Sequence, residues 1–331
     1  VTDIRREFRT VDTHTGGEPT RILVDGYDPS SVDGETVAER RAAFERDSDW
    51  LRKFLLQEPR GHADMFGAVP LGPGADTDLD VFFMDTAGYL DMCGHGLIGV
   101  VTALCETGRY DPADIHRVGT PAGVVEVEPV VSNGRLDRVT FQNVDSYVCE
   151  HATVTVAGES VPVSIVAAGN YAVLVDLEVM GLSFADSSVT TLTDIALDIR
   201  ATMNDRGVTD PVTGDAVTVS LAELYESADS ADSTDRNLVV FADGQVDRSP
   251  CGTGTAAKLA LLYDQGELAV DEPHQQESPI GTRFEGRIRQ AETDDDVAVV
   301  TPAVTGSAHI IGEHTFYLDP ADELDPFSLE R

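Results

Sequence analysis

A Cys-Gly element stands twice in this chain of 331 residues, 158 positions apart, and each copy reads as the start of a helix. The first copy runs Phe83-Met84-Asp85 and then Met92-Cys93-Gly94-His95-Gly96-Leu97-Ile98. The second runs Phe241-Ala242-Asp243 and then Pro250-Cys251-Gly252-Thr253-Gly254-Thr255-Ala256. At the same offset Leu104 meets Leu262 and Gly108 meets Gly266. An offset held over this length points to an internal duplication, and so to two similar units. A duplicated fold can bring two thiols face to face across one site, and two opposed acid–base groups are what inversion at a carbon centre requires.

The surrounding pattern fits an α+β chain. Residues 8–25 alternate like strands interrupted at Thr13-His14-Thr15-Gly16-Gly17-Glu18-Pro19, and residues 36–56 have the spacing of an amphipathic helix. Pro70 to Asp78 reads as a Gly/Pro/Asp loop before a short buried strand at 80–84. After Cys93 the apolar residues Leu97, Ile98, Val101 and Leu104 fall at helical spacing, with Gly108 as the C-terminal cap. From 118 to 177 the pattern is mostly β, and 191–206 is helical. An acidic solvated loop is expected within 224–236, then a strand at 237–241. The helix after Cys251 is apolar almost all round and should be buried. Strands at 297–301 and 309–318 end the pattern. The expectation is two lobes, each a sheet wrapped around one central helix.

Composition narrows the partners. Acidic residues number 59 and basic residues 23, a net charge of −36. Such a surface repels nucleic acid and anionic membranes, so neither is expected as a partner. No apolar run approaches the length of a membrane span. The start, Val1 to Glu7, is charged and lacks the apolar stretch of a signal peptide, so a soluble cytoplasmic protein is expected. Self-repulsion at −36 destabilises a compact state in dilute buffer, and molar salt shortens the Debye length to about 3 Å. The charge therefore predicts a halophilic protein, folded in molar KCl and weakened by dialysis into dilute buffer. Circular dichroism checks this, and unfolding in molar salt with retention in dilute buffer would refute it.

Four cysteines, Cys93, Cys105, Cys149 and Cys251, are too few for a disulfide scaffold, and no CxxC pair suggests structural zinc. Cys105 and Cys149 read as core residues. Cys93 and Cys251 sit where unpaired helix-start N–H groups and the helix dipole favour thiolate, a position that lowers a thiol pKa from about 8.5. The glycines beside them leave those N–H groups open to a carboxylate. A thiolate on one face of an α-carbon takes its proton while a thiol on the other face returns one. No pyridoxal cofactor is expected. Of the two lysines, Lys53 lies on a charged helix, and Lys258, two turns after Cys251, reads as a salt-bridge residue. Carbanion support then comes from donors around the carboxylate and from exclusion of water. His14 and Glu18 stand open between an acid–base role and a turn role. Cys93, His95 and Cys251 as metal ligands, or the thiol pair as a redox sensor, are competing readings.

Met92-Cys93-Gly94-His95-Gly96 and Asp247-Arg248-Ser249-Pro250-Cys251-Gly252-Thr253-Gly254-Thr255 closely resemble motifs of the proline racemase family. Thr13 to Pro19 and Glu58-Pro59-Arg60-Gly61-His62 resemble its N-terminal motifs, so the likeness runs over nearly the whole chain. The resemblance implies a two-lobed fold like that of diaminopimelate epimerase, with the active site between lobes, no cofactor and a homodimer. It implies one lobe of residues 1–145 with 308–331, and another of 146–307. The family contains proline racemases, 4-hydroxyproline 2-epimerases and trans-3-hydroxyproline dehydratases. In the dehydratases threonine typically replaces the second cysteine, so Cys251 favours racemisation or epimerisation. Phe66 and Phe241 match positions where proline racemases carry Phe, whereas epimerases tend to have smaller or more polar residues there. An apolar wall leaves a hydroxyl unpaired at a cost of roughly 1–3 kcal/mol, which favours proline. The same carry-over makes His95 and Asp247 partners of the substrate ammonium side. It makes the backbones of Gly94, His95, Gly252 and Thr253 donors to the carboxylate.

Overall fold

The computed structural model describes residues 6–156, 158–228, 232–294 and 297–328. The first elements are β1 (Arg6–Thr15), β2 (Glu18–Asp25), α1 (Val37–Leu56), β3 (Phe66–Gly72), β4 (Leu79–Met84) and β5 (Tyr89–Leu90). Then come α2 (Gly94–Glu106), β6 (Arg117–Thr120), β7 (Gly123–Ser132) and β8 (Arg135–Gln142). The chain continues through β9 (Ser146–Val156), β10 (Glu159–Ala167), β11 (Tyr171–Asp176), α3 (Val189–Arg206), β12 (Val208–Thr209) and β13 (Ala216–Val217). It goes on with β14 (Leu221–Ser227), β15 (Asp235–Phe241), β16 (Gln245–Val246) and α4 (Gly252–Asp264). The last strands are β17 (His274–Glu277), β18 (Arg283–Asp294), β19 (Val297–Gly306) and β20 (Ala308–Leu318).

The chain forms two compact units, one of residues up to Thr140 together with those from Ser307 on, the other Phe141–Gly306. In the first unit β20 pairs with β1 and β1 with β2, both antiparallel. β2 runs parallel to β3, β3 antiparallel to β4, β4 parallel to β6, and β6 antiparallel to β7. In the second unit the sequence of pairings repeats. β9, β10 and β11 are antiparallel neighbours, β11 runs parallel to β14, β14 antiparallel to β15, and β15 parallel to β17. β17, β18 and β19 follow antiparallel, and β19 returns to β9, closing a barrel of eight strands. Every parallel pair needs a crossover, and a helix supplies each one: α1, α2, α3 and α4.

The register of the repeat is tight where it matters for the site. α2 begins at Gly94 and α4 at Gly252, both have 13 residues, and both follow a two-strand hairpin, β4–β5 in one and β15–β16 in the other. α2 packs on β1, β2, β3 and β20, and α4 on β9, β10, β11, β18 and β19. Both are buried from their first residue to Leu104 and Leu262 respectively, because the sheet of each unit surrounds them. Lys258, within that buried stretch, is held by Asp235 Oδ2 at 3.3 Å and lies 3.3 Å over the Tyr225 ring. Lys258 thus forms the expected salt bridge, and Lys53 on α1 meets Asp49 at 3.0 Å.

Local sequence explains the starts of these elements. The β1–β2 hairpin turns on Gly16 and Gly17, both at positive φ (58° and 99°), which only glycine adopts without strain at two successive positions. α1 begins with a capping box between Thr36 and Glu39. Its buried face, Phe44, Leu51, Phe54 and Leu55, joins Phe8, Phe82 and Met84 in one apolar cluster.

One expectation needs correction. β3 continues through Pro70 to Gly72, so the loop begins only at residue 73. Pro70 is tolerated there because the strand shifts register between Pro70 and Gly72. The acidic loop expected within 224–236 lies between β14, which runs to Ser227, and β15, which starts at Asp235; the strands pair in register from Leu221↔Phe241 to Ser227↔Asp235, and the described residues between them, 228 and 232–234, belong to no strand. Residues 229–231 of that stretch, and 1–5 at the start, lie outside the described residues. Among the described residues no helix is long and apolar enough to cross a membrane.

Candidate active site

Cys93 is the N-cap residue of α2, in extended conformation, and buried. Its Sγ lies 3.5 Å from Nδ1 and 3.6 Å from Nε2 of His95, so thiol and imidazole are within hydrogen-bonding reach. His95 is fixed on two sides. The Thr15 hydroxyl donates to its carbonyl at 2.8 Å, and the Phe66 ring meets its imidazole edge-on, with centroids 4.6 Å apart. Glycine is required beneath this arrangement. A Cβ on Gly96 would lie 2.9 Å from Phe83 Cδ1 and 3.0 Å from Cys93 Sγ, and one on Gly99 would lie 2.7 Å from Thr13 Oγ1. The unit therefore brings Cys93, Gly94, His95 and Phe66 together.

Cys251 is the N-cap of α4 and is also buried, but its backbone differs. It has φ 62° and ψ 117°, a conformation that a residue with a Cβ adopts only under constraint. The constraint is a short relay of hydrogen bonds. Asp247 Oδ1 accepts from the Ser249 N–H at 2.8 Å, and Ser249 Oγ accepts from the Cys251 N–H at 3.1 Å. Asp247 is itself set by its N–H donating to the Val239 carbonyl at 3.0 Å. The Cys251 Sγ in turn accepts from the Gly254 N–H at 3.3 Å. Gly252 and Thr253 form the first turn of the same helix, whose leading N–H groups lack intrahelical acceptors. Phe241 closes β15, opposite Gln245.

At the repeat offset His95 falls on Thr253, so the two thiols have unlike neighbours, an imidazole for Cys93 and carboxylates for Cys251. The helix start was expected to favour the thiolate of Cys251. Burial instead pushes this thiol well above its ordinary range, and the nearby Asp247 carboxylate adds to the shift. The Gly254 N–H acts in the opposite direction and is outweighed. Cys105 and Cys149 are half-buried rather than core residues, and burial raises their thiols to about 11 and about 12, so they are unreactive at neutral pH. His14 serves the turn: its Nδ1 accepts from the Gly17 N–H at 3.3 Å. Thr15 and Ser249, which position His95 and Cys251, stand within the quoted motifs and were not singled out by sequence.

The family model described as proline racemase matches residues 10–328. The chain belongs to the proline racemase family. A proline racemase from Acetoanaerobium sticklandii is 37% identical over 325 residues, covering 96% of each chain. A 4-hydroxyproline 2-epimerase from Streptosporangium roseum is also 37% identical, over 96% of this chain and 97% of its own length. Among solved structures, a hydroxyproline epimerase from Agrobacterium vitis with bound trans-4-hydroxy-L-proline superposes with a TM-score of 0.83 at 26% identity, covering 98% of this chain and 96% of its own. As a member of the proline racemase family the chain is an isomerase of the racemase and epimerase type.

Proposed function

We propose that this chain racemises proline without a cofactor, with Cys93 and Cys251 acting on opposite faces of the α-carbon. The observation that carries this reading is the matched placement of the thiols. Each caps the 13-residue helix enclosed by its own unit, after the same hairpin and before the same parallel crossover. Equivalent tools in equivalent places suit two substrates that are mirror images.

The chemistry balances as a proton exchange. One cysteine, as thiolate, takes the α-proton and becomes a thiol, and the electron pair of the C–H bond stays on the substrate carbanion. The other, as thiol, delivers its proton to the opposite face and becomes the thiolate. The roles reverse for the other enantiomer. Backbone N–H groups of Gly94, His95, Gly252 and Thr253 receive the substrate carboxylate and the charge that develops on it. Asp247 and His95 face the substrate ammonium. The raised pKa of Cys251 fits this assignment, because a cationic substrate beside Asp247 offsets the carboxylate repulsion that holds the thiol protonated. Thiolate then forms with substrate bound, where it is used.

Phe66 and Phe241, both buried, provide apolar ring contacts and favour proline over its hydroxylated relatives. A second reading, 4-hydroxyproline 2-epimerase, is supported by the Streptosporangium relative and by the ligand in the Agrobacterium structure. The test is optical rotation and α-proton exchange in D2O at molar KCl, with L-proline and trans-4-hydroxy-L-proline offered separately. Loss of rotation with L-proline is expected. Turnover of hydroxyproline alone would make the chain an epimerase and remove the specificity role given to Phe66 and Phe241. Release of a cyclic imine when trans-3-hydroxy-L-proline is offered in addition would mark a dehydratase. No turnover of any of these by folded protein would leave the redox reading of the thiol pair.

A further inference from the structure

Behind the Cys251 helix start lies a carboxyl group that the proton exchange does not use. Glu223, on β14, is completely buried, and its Oε1 accepts from Asn237 Nδ2 at 2.9 Å. The same Asn237 amide donates to the carbonyl of Pro250, the residue before Cys251, also at 2.9 Å. The other carboxyl oxygen, Oε2, has no hydrogen-bond partner among the described residues. It is packed against the helix start, 2.9 Å from where a Gly254 Cβ would stand. Gly254 is the residue whose N–H the Cys251 sulfur accepts. Glu223 thus flanks Cys251 on two sides, through Asn237 and the Pro250 carbonyl on its N-terminal side and beside Gly254 on its C-terminal side.

We propose, resting on the racemase reading above, that Glu223 is a positioning residue for Cys251: its carboxyl anchors the strained backbone that presents the thiol, and its charge governs how readily that thiol gives up a proton. A buried carboxylate with one oxygen unpartnered is costly, whereas a protonated carboxyl is not. Burial accordingly raises Glu223 to about 7, although Asn237 and Lys258 pull the other way. On β14 itself, burial and then the nearby carboxylates, Glu223 among them, raise the Tyr225 phenol, whose ring lies under the Lys258 ammonium. From β15, Asp235 adds repulsion and is itself held by Lys258 of α4 at 3.3 Å. From β17, His274 lies 3.8 Å from Asp235, and burial depresses its pKa. From α4, Cys251 feels Glu223 as a like charge that disfavours its thiolate. The sign follows. Below neutrality Glu223 is protonated and exerts no charge on Cys251. As pH rises through about 7 it ionises and holds the thiol back.

The test is the alkylation rate of Cys251 by iodoacetamide in molar KCl, read by peptide mass spectrometry. It uses a Cys93→Ser protein, with and without Glu223→Gln. For a thiol below its pKa the rate rises about tenfold per pH unit. With Glu223 present the rise should flatten around pH 7. With Glu223→Gln, which keeps the Asn237 contact and removes the charge, the rise should be straight. The two rates should coincide near pH 6 and differ by about tenfold at pH 8, a separation of one pKa unit. A purely structural role would shift the rate at every pH. Coincident profiles, a straight profile with Glu223 present, or no labelling of either protein up to about pH 8.5 would overturn the proposal. The profile with Glu223 needs no substitution at 223, so poor folding of Glu223→Gln leaves it decisive. Alkylation needs no turnover, so failure of the racemase reading and failure of this one are separable.

Discussion

Cys93→Ser and Cys251→Ser should each reduce racemisation of L-proline by about three to four orders of magnitude, while the protein stays folded. A positioned acid or base is worth about 10²–10⁴ in rate, and each cysteine serves as base in one direction and acid in the other. A serine hydroxyl keeps roughly the size of the thiol and, at 251, the capping contact from the Gly254 N–H, but gives up its proton far less readily. Since the two thiols act as a unit, the double variant should be no slower than the worse single one, within the residual rate due to binding alone. Cys105→Ser is the control. That thiol sits near the end of α2, half-buried and raised to about 11, and its loss should leave the rate unchanged. Polarimetry from both L- and D-proline, with circular dichroism to confirm folding, decides the matter. Retention of more than about a tenth of the rate in either single variant would defeat the two-thiol reading, because a tenfold loss is below what a direct proton donor or acceptor contributes.

The parts of this molecule that could be read from sequence are those set by local chemistry. α2 and α4 begin at Gly94 and Gly252, on the offset fixed by the two Cys-Gly elements, because a helix start is decided by the few residues that form it. The β1–β2 hairpin was marked by its paired glycines in the same way. What escaped the sequence depends on residues distant along the chain. Glu223 lies within Leu221-Ala222-Glu223-Leu224, and nothing in that run distinguishes a buried carboxyl from a solvated one. Its environment is made by β15 across the strand pair and by the start of α4, which the register of the barrel brings to it. The titration of Cys251 was misjudged for a related reason. A helix terminus is a local feature and argues for thiolate, but the burial that outweighs it is produced by the whole unit closing around α4.

Gly96→Ala should lower activity by about a hundredfold, and unlike the serine variants it should also destabilise the fold, by about 1–3 kcal/mol. In an ordinary helix the change would be favourable, since alanine has about 1 kcal/mol more helix propensity than glycine. Here the new methyl would lie 2.9 Å and 3.0 Å from two atoms of the Phe83 ring and 3.0 Å from the Cys93 sulfur. Phe83 cannot yield easily. It is completely buried, and its strand is paired on both sides, with Ala68 of β3 and Leu90 of β5. The softer response is displacement of the Cys93 side chain, away from the position 3.5 Å from His95 Nδ1. Overpacking thus exceeds the propensity gain, and the thiol moves by a few tenths of an ångström to an ångström, a misplacement that can cost about a hundredfold in rate. Gly88→Ala is the comparison, because a Cβ at Gly88 meets nothing within 4 Å and its effect should be slight. Thermal unfolding together with kcat and KM for L-proline reads both effects. A Gly96→Ala protein as active and as stable as the parent would show that Phe83 gives way, and that the position of Cys93 does not depend on the missing side chain at 96.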